Sequence, residues 1–298
     1  MQGLLNWEAI RELRFADLTD TNGRVNRIDW DDVADMYNEM VKLERDFTLK
    51  QVEILPVTSA DSVADIGCGT GRLSVPIARI AKSVTAVDAF AKMLHHCETN
   101  AKEAGVKNIK FLKKSWLDDD ATEVIGLHDV VIASRSLGLG DIKKLNKIAR
   151  KFVCLICFLD AEPSLRQIQL DLLEGIAQDA PKTPKTSGKD AVKNTRQETS
   201  KNNRMFGYNI TFNMLYDMGA NVNVRVLDDG YEAVFASKEE AYAHFKFAGD
   251  VPAKREKIYR ANVDKYLQKF EGGYRFFRPT KSYVMWWDVR ELADRADC

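Results

Sequence analysis

Residues 65–73 read DIGCGTGRL, three glycines on alternate positions two residues behind an acid. Such spacing belongs to a turn whose backbone must be approached closely. The stretch before it, SVADIG, is an apolar strand signal, and RLSVPIARIAK after it has the spacing of an amphipathic helix. A strand, a glycine turn and a helix make the opening unit of a nucleotide-binding α/β sheet.

The following residues repeat the alternation. SVTAVDA predicts a second strand closed by Asp88, and AKMLHHCETNAKEAG a helix capped by Gly105. NIKFLKK, HDVVIAS and KFVCLICF predict strands three, four and five, with DIKKLNKIAR a helix before the fifth. Strand and helix in turn give a mostly parallel, Rossmann-like sheet covered by helices on both faces. Strands near 221 and 282 complete seven. Residues 58–160 form the core. A helical segment over 1–57, with one helix over 28–55, precedes it. Residues 161–220 form a helical insertion with a mobile loop, and 221–298 supply the last two strands around an inserted helical cap over 238–270.

Composition narrows the function. Lys and Arg number 44 and so do Asp and Glu, so no global field draws the chain to nucleic acid or to a membrane. No apolar run reaches spanning length and the N-terminus lacks a signal peptide, which makes the cytoplasm the expected compartment. The five cysteines are scattered. Cys154 and Cys157 form a CxxC, but inside a strand they point to opposite faces, which removes a metal or redox site.

The glycines distinguish two cofactors. A dinucleotide fingerprint starting at Gly67 needs glycine at 72, where Arg72 stands. The observed order is acid-x-Gly-x-Gly-x-Gly, with Asp65 placed where it would repel a phosphate. This pattern resembles the first motif of the class I S-adenosylmethionine-dependent methyltransferases. The resemblance covers residues 59–160. It implies that Gly67, Cys68, Gly69 and Gly71 receive the methionine part of S-adenosylmethionine, with Asp65 acting on its ammonium directly or through water. Asp88, at the end of strand two, would accept both ribose hydroxyls. Ala89 and Met93 fall beside it, Met93 at the adenine. Ser115 and Trp116, or Asp118 instead, stand where the family meets the adenine amino group. Tyr37 on the N-terminal helix and Ser134 at the end of strand four complete the expected cofactor set. The flanking segments are similar to those of a group of methyltransferases from anaerobic microbes, which gives no acceptor.

Methyl transfer needs alignment and exclusion of water more than it needs a base. Strand four ends in ASRSLGLG and lacks the Asn/Asp-Pro-Pro-aromatic motif of base N-methylation. The four histidines are poor bases: His128 lies at the far end of the sheet, His95 and His96 leave their helix's apolar face, and His244 falls in the insertion, where exposure is expected. The expected acceptor is a small molecule under the cap, with Arg135 orienting a substrate anion or, alternatively, paired with a cap acid or with the cofactor carboxylate. Two other readings stay open. One is an RNA methyltransferase, favoured by the basic loop Lys182–Arg204, and the other a non-catalytic binding module.

Overall fold

The structure, a computed structural model, describes residues 5–7, 9–10, 29–159, 165–176 and 208–292. The loop 182–204 lies outside the described residues. In chain order the elements are α1 (Trp30–Lys42), α2 (Arg45–Ile54), β1 (Ser62–Ile66), α3 (Ser74–Ile77), β2 (Ser83–Asp88), α4 (Ala91–Glu103), β3 (Ile109–Lys113), α5 (Ala121–Ile125), β4 (His128–Ser134), α6 (Ile142–Ile148) and β5 (Ala149–Phe158). They continue with α7 (Leu165–Leu172), α8 (Asn209–Asp217), β6 (Asn223–Phe235), α9 (Lys238–His244), α10 (Glu256–Asp264), β7 (Leu267–Phe270) and β8 (Gly273–Asp288).

The sheet runs β3-β2-β1-β4-β5-β8-β6. The first five strands pair in parallel, and β8 is antiparallel to both β5 and β6. Chain order reverses between β1 and β4, which makes the crevice above their carboxyl ends the topological switch point, where such sheets bind ligands. β1, β2 and β4 are buried almost throughout because helices cover both faces. On one face Val52, Leu55, Leu73 and Ile77 pack on Val63, Val130, Ile132, Cys154 and Ile156. On the other, Trp116, Ile142, Leu145 and Ile148 pack on Ile66, Val131, Leu155, Cys157 and Trp287. Cys154 and Cys157 therefore lie on opposite faces, as strand alternation requires.

Four regions differ from the sequence-based expectations. The N-terminal helix is two helices. Asp29 caps α1 by accepting from Asp31 N, and Asp31 and Asp32 favour its first turn. The ladder stops because the Leu43 carbonyl turns outward to accept from Glu232 N of β6 at 2.8 Å. The helix expected after the glycine turn is regular only over Ser74–Ile77, and Pro76 within it has no N–H to give. The last strands are far longer than expected. β6 and β8 pair from Asn223↔Trp286 to Phe235↔Tyr274, while β5 reaches only from Asp288 to Ser282. The outer part of this pair is a ribbon rising past the sheet. Residues 267–270, expected as helix, form β7 and pair with β8 over 273–276.

The ribbon is the frame of the cap. Tyr231, Phe235 and Phe276 on it pack with Met40 and Leu43 of the N-terminal segment, Ile168 and Leu172 of α7, and Phe245, Tyr259 and Val263 of the insertion. Phe245 is fully buried, its ring centroid 4.6 Å from Phe276 and 5.6 Å from Phe235. Phe245→Ala should therefore cost about 3–5 kcal/mol of stability. Urea unfolding followed by circular dichroism measures this.

Candidate cofactor and acceptor site

The glycine turn closes on the end of β2. Gly67 N and Cys68 N both donate to Val87 O, at 2.8 and 2.9 Å. Gly67, Gly69 and Gly71 have φ of 74°, 55° and 88°, a region that costs other residues strain. A Cβ on Gly71 would stand 2.7 Å from Cys97 Sγ, and one on Gly67 2.4 Å from Ser136 Cβ. The glycines thus permit both the conformation and the close packing of the neighbouring elements.

Asp88 is locked at the tip of β2. Its Oδ2 accepts from Gly69 N at 2.9 Å and its Oδ1 from Phe90 N at 3.0 Å. Each oxygen keeps a lone pair for a hydroxyl. Burial raises its pKa. Asp65 lies beneath the turn, almost wholly buried, and accepts from Ser74 Oγ at 2.6 Å. Burial pushes it up to about 6, against the lowering hydrogen bond from Ser74 and the Arg72 charge. Tyr37 of α1 stands over the turn, its Cε1 3.5 Å from the position of a Cβ on Gly69. Burial raises its hydroxyl, and it feels Glu44, Arg72, Arg135 and Asp88. Thr70 Oγ1 is buried in the turn with no partner among the described residues. This donor set carries no concentration of phosphate-binding charge, and it fits a ligand with a ribose and an amino-acid head.

The other expected residues have mixed placements. Ala89 is exposed beside Asp88, and Met93 is buried under the start of α4. Ser115 is half-buried and its Oγ accepts from Leu117 N at 3.2 Å. Asp118 is held outward by Lys114 at 3.0 Å. Trp116 belongs to the core beneath β3, and its Nε1 has no partner among the described residues. Cys68 Sγ is buried against Cys97, which raises its thiol well above the ordinary range. His128 is fixed at the base of β4 by Gly126 O and Thr85 Oγ1, and His96 pairs with Asp35. His244 is a correction: it is partly buried among Phe235, Phe245 and Phe247, with centroids 5.0–5.5 Å away.

The sequence reading missed a buried ionic network at the end of β4. Arg72 donates to Thr48 Oγ1 (3.0 Å), Gln51 Oε1 (2.8 Å) and Ser134 Oγ (2.7 Å). Gln51 passes the chain on to Asp229 Oδ2 and Ser282 Oγ. Arg135 donates Nη1 to Glu44 Oε2 and Nη2 to Asp229 Oδ2 at 2.9 Å, and its guanidinium carbon lies 3.6 Å from the Phe158 ring centroid. Its fork therefore holds cap and ribbon acids, the ion-pair alternative of the sequence reading. Burial opposes its charge, but Glu44 and Asp229 raise its pKa further. Arg72 had its signal inside the opening motif. Glu44 and Asp229, distant in sequence, had none.

Two outcomes follow. Asp88→Ala should weaken S-adenosylmethionine binding by about 1–3 kcal/mol in calorimetry, and NAD should not bind. Asp65 has a folded pKa raised from 3.8, so below about 6 it carries a proton that the unfolded chain gives up sooner. Its contribution to stability is full below the unfolded pKa and is lost as pH rises from about 4 to about 6. Cofactor affinity moves the opposite way, because an ammonium prefers the ionised form. It should fall by up to about tenfold from pH 7 to pH 5, and Asp65→Asn should flatten that profile.

Residues 63–156 match a family described as a methyltransferase domain. The "Probable cobalt-precorrin-6B C(15)-methyltransferase (decarboxylating)" of Methanosarcina mazei is 33% identical over 101 residues, 33% of this chain and 52% of that protein. The "23S rRNA (uracil(1939)-C(5))-methyltransferase RlmD" of Photobacterium angustum is 33% identical over 103 residues, 33% of this chain and 46% of that protein. The chain thus spans about half the length of these curated relatives. Among solved structures, the magnesium protoporphyrin IX methyltransferase of Synechocystis PCC 6803 with bound SAM aligns over 97% of this chain and 99% of its own, with 15% identity and a TM-score of 0.38. The matched segment runs from within β1 to within β5 and includes the acid-glycine turn, and this segment is a methyltransferase domain of the class I type, whose cofactor is S-adenosylmethionine.

Proposed function

We propose that this chain transfers a methyl group from S-adenosylmethionine to a small molecule held beneath the cap. One observation carries the reading. Glu44 Oε1, Arg135 Nε and Tyr231 OH are buried at the end of β4 without a hydrogen-bond partner among the described residues. Each unmade bond costs about 1–3 kcal/mol. Tyr231 feels the charges of Glu44 and Arg135, which puts the three groups in one neighbourhood. Polar atoms left open under a cap suit a small polar acceptor that supplies the missing partners.

The cofactor brings an activated methyl on sulfonium, and the chain's own residues do the rest. Asp88, Asp65 and the glycine turn bind and orient, and Tyr37 covers the turn. The cap core excludes water. Burial, with the charge of Glu44, holds the Tyr231 hydroxyl well above its ordinary range, so it serves as a hydrogen-bond donor and not as a base. Arg135 stays charged and is matched by Glu44 and Asp229. It acts as a positioning residue, and an acceptor carboxylate would have to displace one of its acids.

The second reading is an RNA acceptor, favoured by relatives named for 23S rRNA. Counterion release then requires affinity to fall steeply with salt. The expected result is no tight RNA binding at physiological salt. A steep salt dependence abolished by neutralising Lys182, Lys185 and Lys189 together would overturn the small-molecule reading. Labelled S-adenosylmethionine incubated with a metabolite extract should mark a small product. Arg135→Lys keeps the charge and loses the fork, and should lower turnover about tenfold or more while cofactor affinity holds.

A further inference from the structure

A cleft of about 310 Å³ opens between α2 and the β6–β8 ribbon, lined by Phe47, Asp228, Asp229, Phe277, Thr280 and Lys281. It lies at the ligand end of the sheet. Lys281 O accepts from Leu159 N just past β5, and Asp229 on its floor accepts from Arg135 just past β4. The Phe47 and Phe277 rings form one wall, inclined by 19° with centroids 6.4 Å apart. Gly230 lets both rings come in. A Cβ there would meet Phe277 Cε2 at 3.3 Å, Phe47 Cζ at 3.4 Å and Arg278 O at 2.8 Å. Thr280, opposite Asp229 in register, is buried, and its Oγ1 has no partner among the described residues.

The charges of the cleft are already matched. Asp228 pairs with Lys281 at 3.0 Å and Asp229 with Arg135 at 2.9 Å. Cations also sit on the rings, Arg275 at 4.3 Å from the Phe277 centroid and Lys50 at 5.4 Å from that of Phe47. A charged ligand would meet no free counter-charge among the cleft's described residues. A flat uncharged ring gains from the aromatic wall. A single hydroxyl or ring N–H on it satisfies Thr280. The volume, at the low end for ligand sites, admits one or two fused rings.

We infer that this cleft binds an uncharged aromatic group of one or two rings, bearing one hydrogen-bonding group, as the aromatic portion of the acceptor. The inference rests on the small-molecule reading above for its role, but its binding test does not. Purified full-length protein is titrated with 2-naphthol and with indole by ligand-observed NMR, with cyclohexanol as the aliphatic control. Both aromatic probes should bind saturably and cyclohexanol should not. Phe277→Leu, which keeps an apolar side chain of similar bulk, should weaken both probes about fivefold or more. Thr280→Val, which is isosteric, should weaken 2-naphthol by a similar factor. Circular dichroism and calorimetric binding of S-adenosylmethionine should be unchanged in both variants. Equal binding of cyclohexanol, indifference of the aromatic probes to Phe277→Leu, or no saturable aromatic binding while S-adenosylmethionine still binds would overturn the inference. Loss of S-adenosylmethionine binding in the unmodified protein would instead strike at the methyl-transfer reading.

Discussion

The fork of Arg135 between Glu44 and Asp229 joins three parts of the chain that sequence keeps far apart. Arg135 follows β4, Glu44 sits at the α1–α2 junction, and Asp229 lies where the ribbon leaves the sheet. All three side chains are buried or nearly so. Arg135 also has a φ of 50°, the one positive value among the described non-glycine residues. That conformation costs about 1–2 kcal/mol and turns the guanidinium back over Phe158. A buried pair of this kind adds little net stability compared with an apolar packing, but losing one partner leaves a charge stranded at about 3–5 kcal/mol. The ion pair is therefore better understood as fixing geometry than as supplying stability. It sets where the cap stands above the end of β4.

Arg72 extends the same constraint to the glycine turn. It leaves the glycine motif and ties α2 to Ser134, so the turn, the end of β4 and the N-terminal helices share one set of hydrogen bonds. Two cations and two carboxylates, Arg72, Arg135, Glu44 and Asp229, balance within it. A site neutralised from inside can exclude water without an ionic substrate, and then discriminates by shape and hydrogen bonding.

The sheet was legible because its physics is local. β1, β2 and β4 announce themselves as apolar runs, and DIGCGTGRL combines a turn signal with a cofactor pattern. The positions of Asp65 and Asp88 were legible for the same reason, since both stand at strand ends beside the turn. The split of the N-terminal helix was not, because it depends on Leu43 O meeting Glu232 N across the fold. The ribbon was hidden by Asp228-Asp229-Gly230, which has the composition of a turn. It stays extended because Arg135 and Gln51 take up Asp229, and because two rings crowd Gly230. The same distant pairing hid Glu44. His244 read as exposed because the aromatic rings that enclose it come from the ribbon and the insertion together.

Among the described residues β6 has β8 as its only strand partner, so its other side presents a row of backbone groups along a long strand. Such a border invites another chain to add a strand. Val226 and Val234 are exposed along it, which sharpens the hazard. Two features oppose it. Arg225 and Asp228 place exposed charges on the strand, and Glu232 N is already engaged by the Leu43 carbonyl. The bend that divides α1 from α2 thereby acts as a guard against edge-to-edge aggregation, closing part of the margin that the ribbon would otherwise offer to a second molecule.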